Sequence, residues 1–177
     1  MTASTLAAGS EALTGLIGRL DSACIAPAES MGAAIAEALK RACAQPDLLS
    51  PLQCCGRKDH YARHVLHADP AGRYTVVALV WEPGQMTPVH GHYAWCSYAV
   101  VSGLLHEERY LRACDPQAVS CTGSADRAPG YYCFSHAGLD EIHRLGNRGD
   151  VPAISVHVYG VDAPRIATHV NRVLLAG

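Results

Sequence analysis

The feature that most constrains this chain is a change of period near Tyr61. Up to Cys43 the sequence is rich in Ala and Leu, and apolar residues recur at helical spacing: Leu13, Leu16, Ile17 and Leu20, then Ile35, Leu39 and Cys43. That pattern predicts two helices. Pro46, Pro51 and Gly56 interrupt it, and from Tyr61 onward short β-rich runs alternate with Gly, Pro and Asp. The predicted strands are Ala62–His67, Tyr74–Trp81, Thr87–His90, Ala94–Val101, Leu104–Tyr110, Gly130–Phe134, Glu141–Leu145, Ile154–Tyr159 and His169–Leu174. So many short strands predict a mainly β sandwich or small barrel with the helices packed on it. The reading is a helical segment over residues 1–50 and a β body over residues 51–177. At 177 residues the two form one structural domain, since a domain takes roughly 150 residues.

Composition removes several function classes. Hydrophobic residues are 49% of the chain and charged residues 17%, which excludes a wholly disordered protein. Lys and Arg number 14 against 16 Asp and Glu, with no basic cluster, so nucleic acid and anionic membrane surfaces are not expected partners. A small molecule is. The longest apolar stretch, Tyr74 to Trp81, falls far short of the roughly 20 residues that a membrane helix needs. Met1 to Leu6 carries no basic segment followed by an apolar run, which reads as cytoplasmic. The eight cysteines (Cys24, Cys43, Cys54, Cys55, Cys96, Cys114, Cys121 and Cys133) contain no C-x-x-C, which removes zinc-ribbon and thioredoxin-like readings. Most are expected to be buried, reduced and apolar in role. The sequence carries no signal for oligomeric state.

The chemistry concentrates in Gly84-Gln85-Met86-Thr87-Pro88-Val89-His90-Gly91-His92-Tyr93-Ala94-Trp95-Cys96. In a strand, residues two apart share a face, so His90 and His92 point the same way, with Ala94, Cys96 and Tyr98. An H-x-H pair is weak evidence alone. Its setting resembles the first motif of the cupin superfamily, G-x5-H-x-H-x3-4-E-x6-G, with Gly84, His90, His92 and Gly103 in register and Cys96 at the acidic position. Gly130, Gly138, His143 and Asn147 resemble the second cupin motif, G-x5-P-x-G-x2-H-x3-N. There His136 replaces the proline, and the gap before His143 is two residues longer. The resemblance implies a single cupin barrel with a metal held by His90, His92 and His143. Three neutral imidazoles suit iron, copper, nickel or zinc alike, and leave open positions for substrate and O2. Zinc-assisted hydrolysis stays open on the ligands alone.

From about Tyr61 to Tyr159 the chain also resembles the thiol dioxygenases typified by cysteine dioxygenase. Ser155-Val156-His157-Val158-Tyr159 is similar to that family's Ser-x-His-x-Tyr run, and Tyr61-Ala62-Arg63 to its Tyr-x-Arg. The resemblance implies Fe(II) on the three histidines and O2 as co-substrate. Arg63, aided by Tyr61, would bind the substrate carboxylate, a role suited to a guanidinium fork. Tyr159 would bond the oxygen, oriented by His157 and Ser155. Members with glutamine at the arginine position resemble 3-mercaptopropionate enzymes, so Arg63 tilts the expectation toward L-cysteine. If Arg165 reaches the pocket, a second carboxylate could bind, and mercaptosuccinate becomes a candidate. Some members carry a thioether crosslink at the positions of Cys96 and Tyr159. The rival of another class is a non-catalytic metal-binding cupin that senses thiols or oxygen. His60, His64, His67, His106, His136 and His169 are expected to be surface or hydrogen-bonded residues. Trp81 and Trp95 are expected to pack the barrel, with Trp95 a candidate for the pocket's outer wall.

Overall fold

The computed structural model describes residues 10–112 and 118–176. Two helices, α1 (Glu11–Cys24) and α2 (Ala28–Cys43), precede eleven strands. These are β1 (Ala62–Ala68), β2 (Thr75–Trp81), β3 (His90–His92), β4 (Cys96–Ser102), β5 (Leu105–Arg112), β6 (Ala118–Arg127), β7 (Tyr132–Ser135), β8 (Gly138–Gly146), β9 (Ala153–Tyr159), β10 (Asn171–Val173) and β11 (Leu175–Ala176). Ser10 caps α1 by accepting a hydrogen bond from the Leu13 amide, and Pro27 ends the link into α2. Leu13, Leu16, Leu20 and Ala23 are buried along α1, as are Ile35, Ala38, Leu39 and Ala42 along α2.

One sheet has the order β1-β2-β9-β4-β7 and the other β10-β3-β8-β5-β6-β11. Every pairing is antiparallel except β11 with β6. The first sheet is covered on both faces, which is why β2 is buried at all seven positions. Val76, Ala78, Ala99, Val156 and Val158 join the helices in one apolar cluster. The alternate residues Val77, Leu79, Trp81, Cys96, Tyr98 and Tyr159 face inward, in a second cluster with Leu105 and Leu145 of the other sheet. Small antiparallel β body, helices on its outside: the expected architecture is the one observed.

The differences in detail have local causes. The predicted strand Thr87–His90 forms instead at His90–His92. Pro88 has no N–H, and beside it the Thr87 amide bonds Leu145 O at 2.8 Å while the Leu145 amide bonds Thr87 Oγ1 at 3.0 Å. The chain bends after His92, so Cys96 opens a strand in the other sheet rather than continuing β3. β6 carries no alternating apolar signal because most of it is exposed; the ladder with β5 holds it. Cysteine burial was overestimated. Among those described only Cys96 is buried, Cys24, Cys43 and Cys133 are partly so, and Cys54, Cys55 and Cys121 are exposed. Cys114 lies outside the described residues.

Candidate metal centre

Gly91 holds the two motif histidines against β8. A side chain there would bring its first carbon within 2.6 Å of Gly138 O, so only glycine lets the strands meet. His90 pairs with His143 and His92 with Gly138, so β8 advances five residues while β3 advances two. The resulting bulge absorbs the lengthened gap of the second motif and still turns His143 toward His90. Ring centroids lie 5.3 Å apart for His90 and His92, 4.7 Å for His90 and His143, and 5.1 Å for His92 and His143. One ring nitrogen from each lies within 4.8 Å of the others.

The hydrogen bonds assign which nitrogens are free. His90 Nδ1 is 2.9 Å from Pro88 O, an acceptor only, so Nδ1 carries the proton and Nε2 keeps its lone pair. His143 Nδ1 is 3.0 Å from Glu107 Oε1, which leaves its Nε2 free in the same way. His92 Nδ1 is buried with no hydrogen-bond partner. Burial, followed by the neighbouring His143, pulls the pKa of His90 down to about 3 and that of His92 to about 4. Both rings are therefore neutral at pH 7. Three converging imidazoles, two of them held in the tautomer that leaves Nε2 unprotonated, fit a metal ion.

The same cavity is lined by Tyr61, Arg63, Trp81, Cys96, His157 and Tyr159. Arg63 is exposed along part of its length and places Nη1 3.5 Å from Ile166 O. It is the cation of this lining among the described residues. Tyr61 packs on Trp81 with centroids 4.5 Å apart. β9 alternates, so Ser155, His157 and Tyr159 face inward while Val156 and Val158 face the helices. Trp81 Nε1 donates to Ser155 Oγ at 2.9 Å, Ser155 Oγ lies 2.8 Å from His157 Nε2, and His157 Nδ1 lies 3.1 Å from Tyr159 Oη.

This chain has a direction. Indole N–H can only donate, so Ser155 accepts from Trp81 and donates its own O–H to His157 Nε2, the acceptor within reach. His157 is buried, and desolvation drives its pKa well below 6.5. A neutral ring that accepts at Nε2 carries its proton on Nδ1 and donates to Tyr159. The Tyr159 hydroxyl, held protonated by burial, is then free to donate into the cavity. Cys96 is the direct cross-strand partner of Tyr159, and burial raises its thiol pKa too.

Ser155 stands behind His157, and His90, His92, His143, Tyr61, Arg63, Cys96, His157 and Tyr159 all line this one cavity. Arg165 does not; its Nε is 2.6 Å from Asp162 Oδ1. Nor does Trp95, which stacks on Phe134 toward the helices. The expectation for Trp81 was incomplete, since it lines the cavity and starts the hydrogen-bond chain. His60 contacts Asp59, His64 the Cys55 carbonyl and His106 Asp126, outside the cluster. Sequence reading missed Glu107 and Arg127, which stand behind His143. The available signal was a glutamate two residues after the inward Leu105 on an alternating strand.

The family model described as cysteine dioxygenase type I matches residues 56–172. Among solved structures, the TT1209 protein from Thermus thermophilus is 20% identical with a TM-score of 0.50, over 64% of this chain and 96% of that one. An uncharacterized protein with a double-stranded β-helix domain from Klebsiella pneumoniae is 18% identical with a TM-score of 0.50, over 67% and 88%. A cupin superfamily protein from Desulfitobacterium hafniense is 14% identical with a TM-score of 0.47, over 67% and 94%. For the two with a TM-score of 0.50, likeness at these identities is one of fold.

Proposed function

The chain belongs to the cysteine dioxygenase type I family, and so to the cupin thiol dioxygenases, and on that premise we propose that it oxidises L-cysteine to cysteine sulfinate with O2 on an Fe(II) centre. The observation that carries this reading is that one cavity joins the three-histidine cluster, a lone cation at Arg63 and a tyrosine hydroxyl free to donate. His90, His92 and His143 would hold the iron. Bound there, iron supplies the one-electron chemistry that lets O2 react with a thiol and lowers the thiol's pKa through its positive charge. Both oxygen atoms end on sulfur, R–SH + O2 giving R–SO2H.

The protein's own residues do the rest. Arg63 fixes the carboxylate, with Tyr61 beside it, so that the sulfur end of a short amino acid points at the histidines. Tyr159 donates its hydroxyl proton as a hydrogen bond to the reacting sulfur or oxygen, and Trp81, Ser155 and His157 keep that proton aimed inward. A thioether crosslink between the cross-strand neighbours Cys96 and Tyr159 would tie β4 to β9 at the cavity wall.

The experiment is O2 uptake by anaerobically Fe(II)-loaded protein, with L-cysteine, 3-mercaptopropionate and mercaptosuccinate in parallel and the sulfinate identified by mass. L-cysteine is expected to give the highest kcat/KM. A higher value for 3-mercaptopropionate would overturn the substrate assignment, and no uptake with any thiol would favour a sensing cupin. Mercaptosuccinate is disfavoured because Arg165 pairs with Asp162 outside the cavity lining.

A further inference from the structure

The histidine cluster brings no negative charge of its own, and the first motif's acidic position is Cys96. A carboxylate nevertheless stands one step behind it. Glu107 is 2% exposed; its Oε1 lies 3.0 Å from His143 Nδ1, and its Oε2 takes Arg127 Nε at 2.9 Å and Nη2 at 2.7 Å. Arg109 approaches the same Oε2 at 3.5 Å. A buried carboxylate is strongly unfavourable without partners, and Arg127 is that partner. The division of labour between the oxygens is informative. Oε2 takes every guanidinium contact, from Arg127 and Arg109, and Oε1 is left for the imidazole alone.

We infer that Glu107, anchored by Arg127, is a positioning residue for the metal centre, acting through His143. It fixes the His143 ring with Nε2 toward the cavity, and it makes that nitrogen a stronger donor, returning through the ring part of the charge that no direct ligand supplies. This rests on the proposed reading of His90, His92 and His143 as the iron site. The two effects separate by substitution. Glu107→Gln keeps an oxygen that can accept from Nδ1–H but has no charge; Glu107→Ala removes both.

The test uses the full chain, with Fe(II) affinity read by competition against a chromophoric chelator under nitrogen, and the Fe(III)/Fe(II) midpoint potential read on the loaded protein. Glu107→Gln is expected to weaken Fe(II) binding about tenfold and Glu107→Ala up to about a hundredfold, the range for losing a group behind a metal ligand. Both raise the potential, because withdrawing negative charge disfavours Fe(III) more than Fe(II); a tenfold difference between the two ions is about 59 mV. A merely structural role would lower the melting temperature of the metal-free protein without moving the potential of the Gln variant. His143→Ala separates the two readings. If it abolishes binding while both Glu107 variants match the unaltered protein in affinity and potential, this inference is overturned and the site stands. If it binds Fe(II) undiminished, the site falls and the inference with it.

Discussion

Arg63→Gln removes the cation that the substrate carboxylate is proposed to meet, and its effect can be sized. A hydrogen bond to a charged group contributes about 1.5–3 kcal/mol. Two such bonds would double that, but Arg63 stands at the solvent end of the cavity, where screening reduces the gain, so the single-bond range is the better figure. At about 1.4 kcal/mol per factor of ten, kcat/KM for L-cysteine should fall roughly ten- to hundredfold. Most of the loss should lie in KM, because the carboxylate does not react and is held in ground and transition states alike. The assay is initial-rate O2 uptake with L-cysteine and with cysteamine, which has the same thiol and amine but no carboxylate. The unaltered protein should prefer cysteine by about the factor that the substitution removes, and Arg63→Gln should bring the ratio near one. Folding should be little affected, since the arginine's protein contact is a 3.5 Å bond to the Ile166 carbonyl. If cysteine and cysteamine lose rate equally, or neither does, Arg63 does not read the carboxylate.

Trp81→Phe deletes the donor that sets the direction of the Ser155–His157–Tyr159 chain, so kcat should fall roughly 10²-fold, the scale for one misaimed donor, while metal content stays constant; unchanged kcat would mean the chain is oriented by something else. In the metal-free protein, His90 and His92 titrate near 3 and 4 when folded but near 6.5 when unfolded. The unfolded state therefore binds more protons below about pH 6.5, and stability drops as pH falls toward 4, by up to roughly 1.4 kcal/mol per pH unit for each ring. Urea midpoints between pH 7 and pH 5 measure this, and a flat profile refutes it. Turnover with cysteine should generate a population whose intact mass is lower by two hydrogens, absent in Cys96→Ala; no such species would mean Cys96 only fills space beside Tyr159.

What could be read in advance depended on whether a signal was local. His90, His92 and the alternating run Ser155 to Tyr159 are two-residue patterns, and strand geometry turns such patterns directly into shared faces. His143 was legible through its glycines and Asn147, whose side-chain amide bonds Trp81 O and Val151 O and so explains the motif's last position. Glu107 was not legible, because its meaning depends on His143 and Arg127, 36 and 20 residues away, reached only through the β5 pairings. Trp81 looked like core for a related reason: the indole is buried, and its donor role appears only when β2 lies against β9. β6 escaped because exposed polar residues carry no period, and its place is set by hydrogen bonds that any sequence can make.

The two helices bear on the site through β9. A slip of one residue along β9 would exchange its faces, sending Ser155, His157 and Tyr159 outward and Val156 and Val158 into the cavity. Inward contacts resist this, since Ser155, His157 and Tyr159 are buried and would leave their hydrogen-bond partners. The outward face resists it strongly: Val156 and Val158 are fully buried in the cluster with Ile35, Leu39 and Leu20, and a histidine or serine there would lose its hydrogen bonds in an apolar layer. α2 packs directly on β4, β7 and β9, so the helical layer supplies the apolar half of the alternation whose polar half is the hydrogen-bond chain. The helical segment thus helps to fix the register on which Tyr159 reaches the histidines.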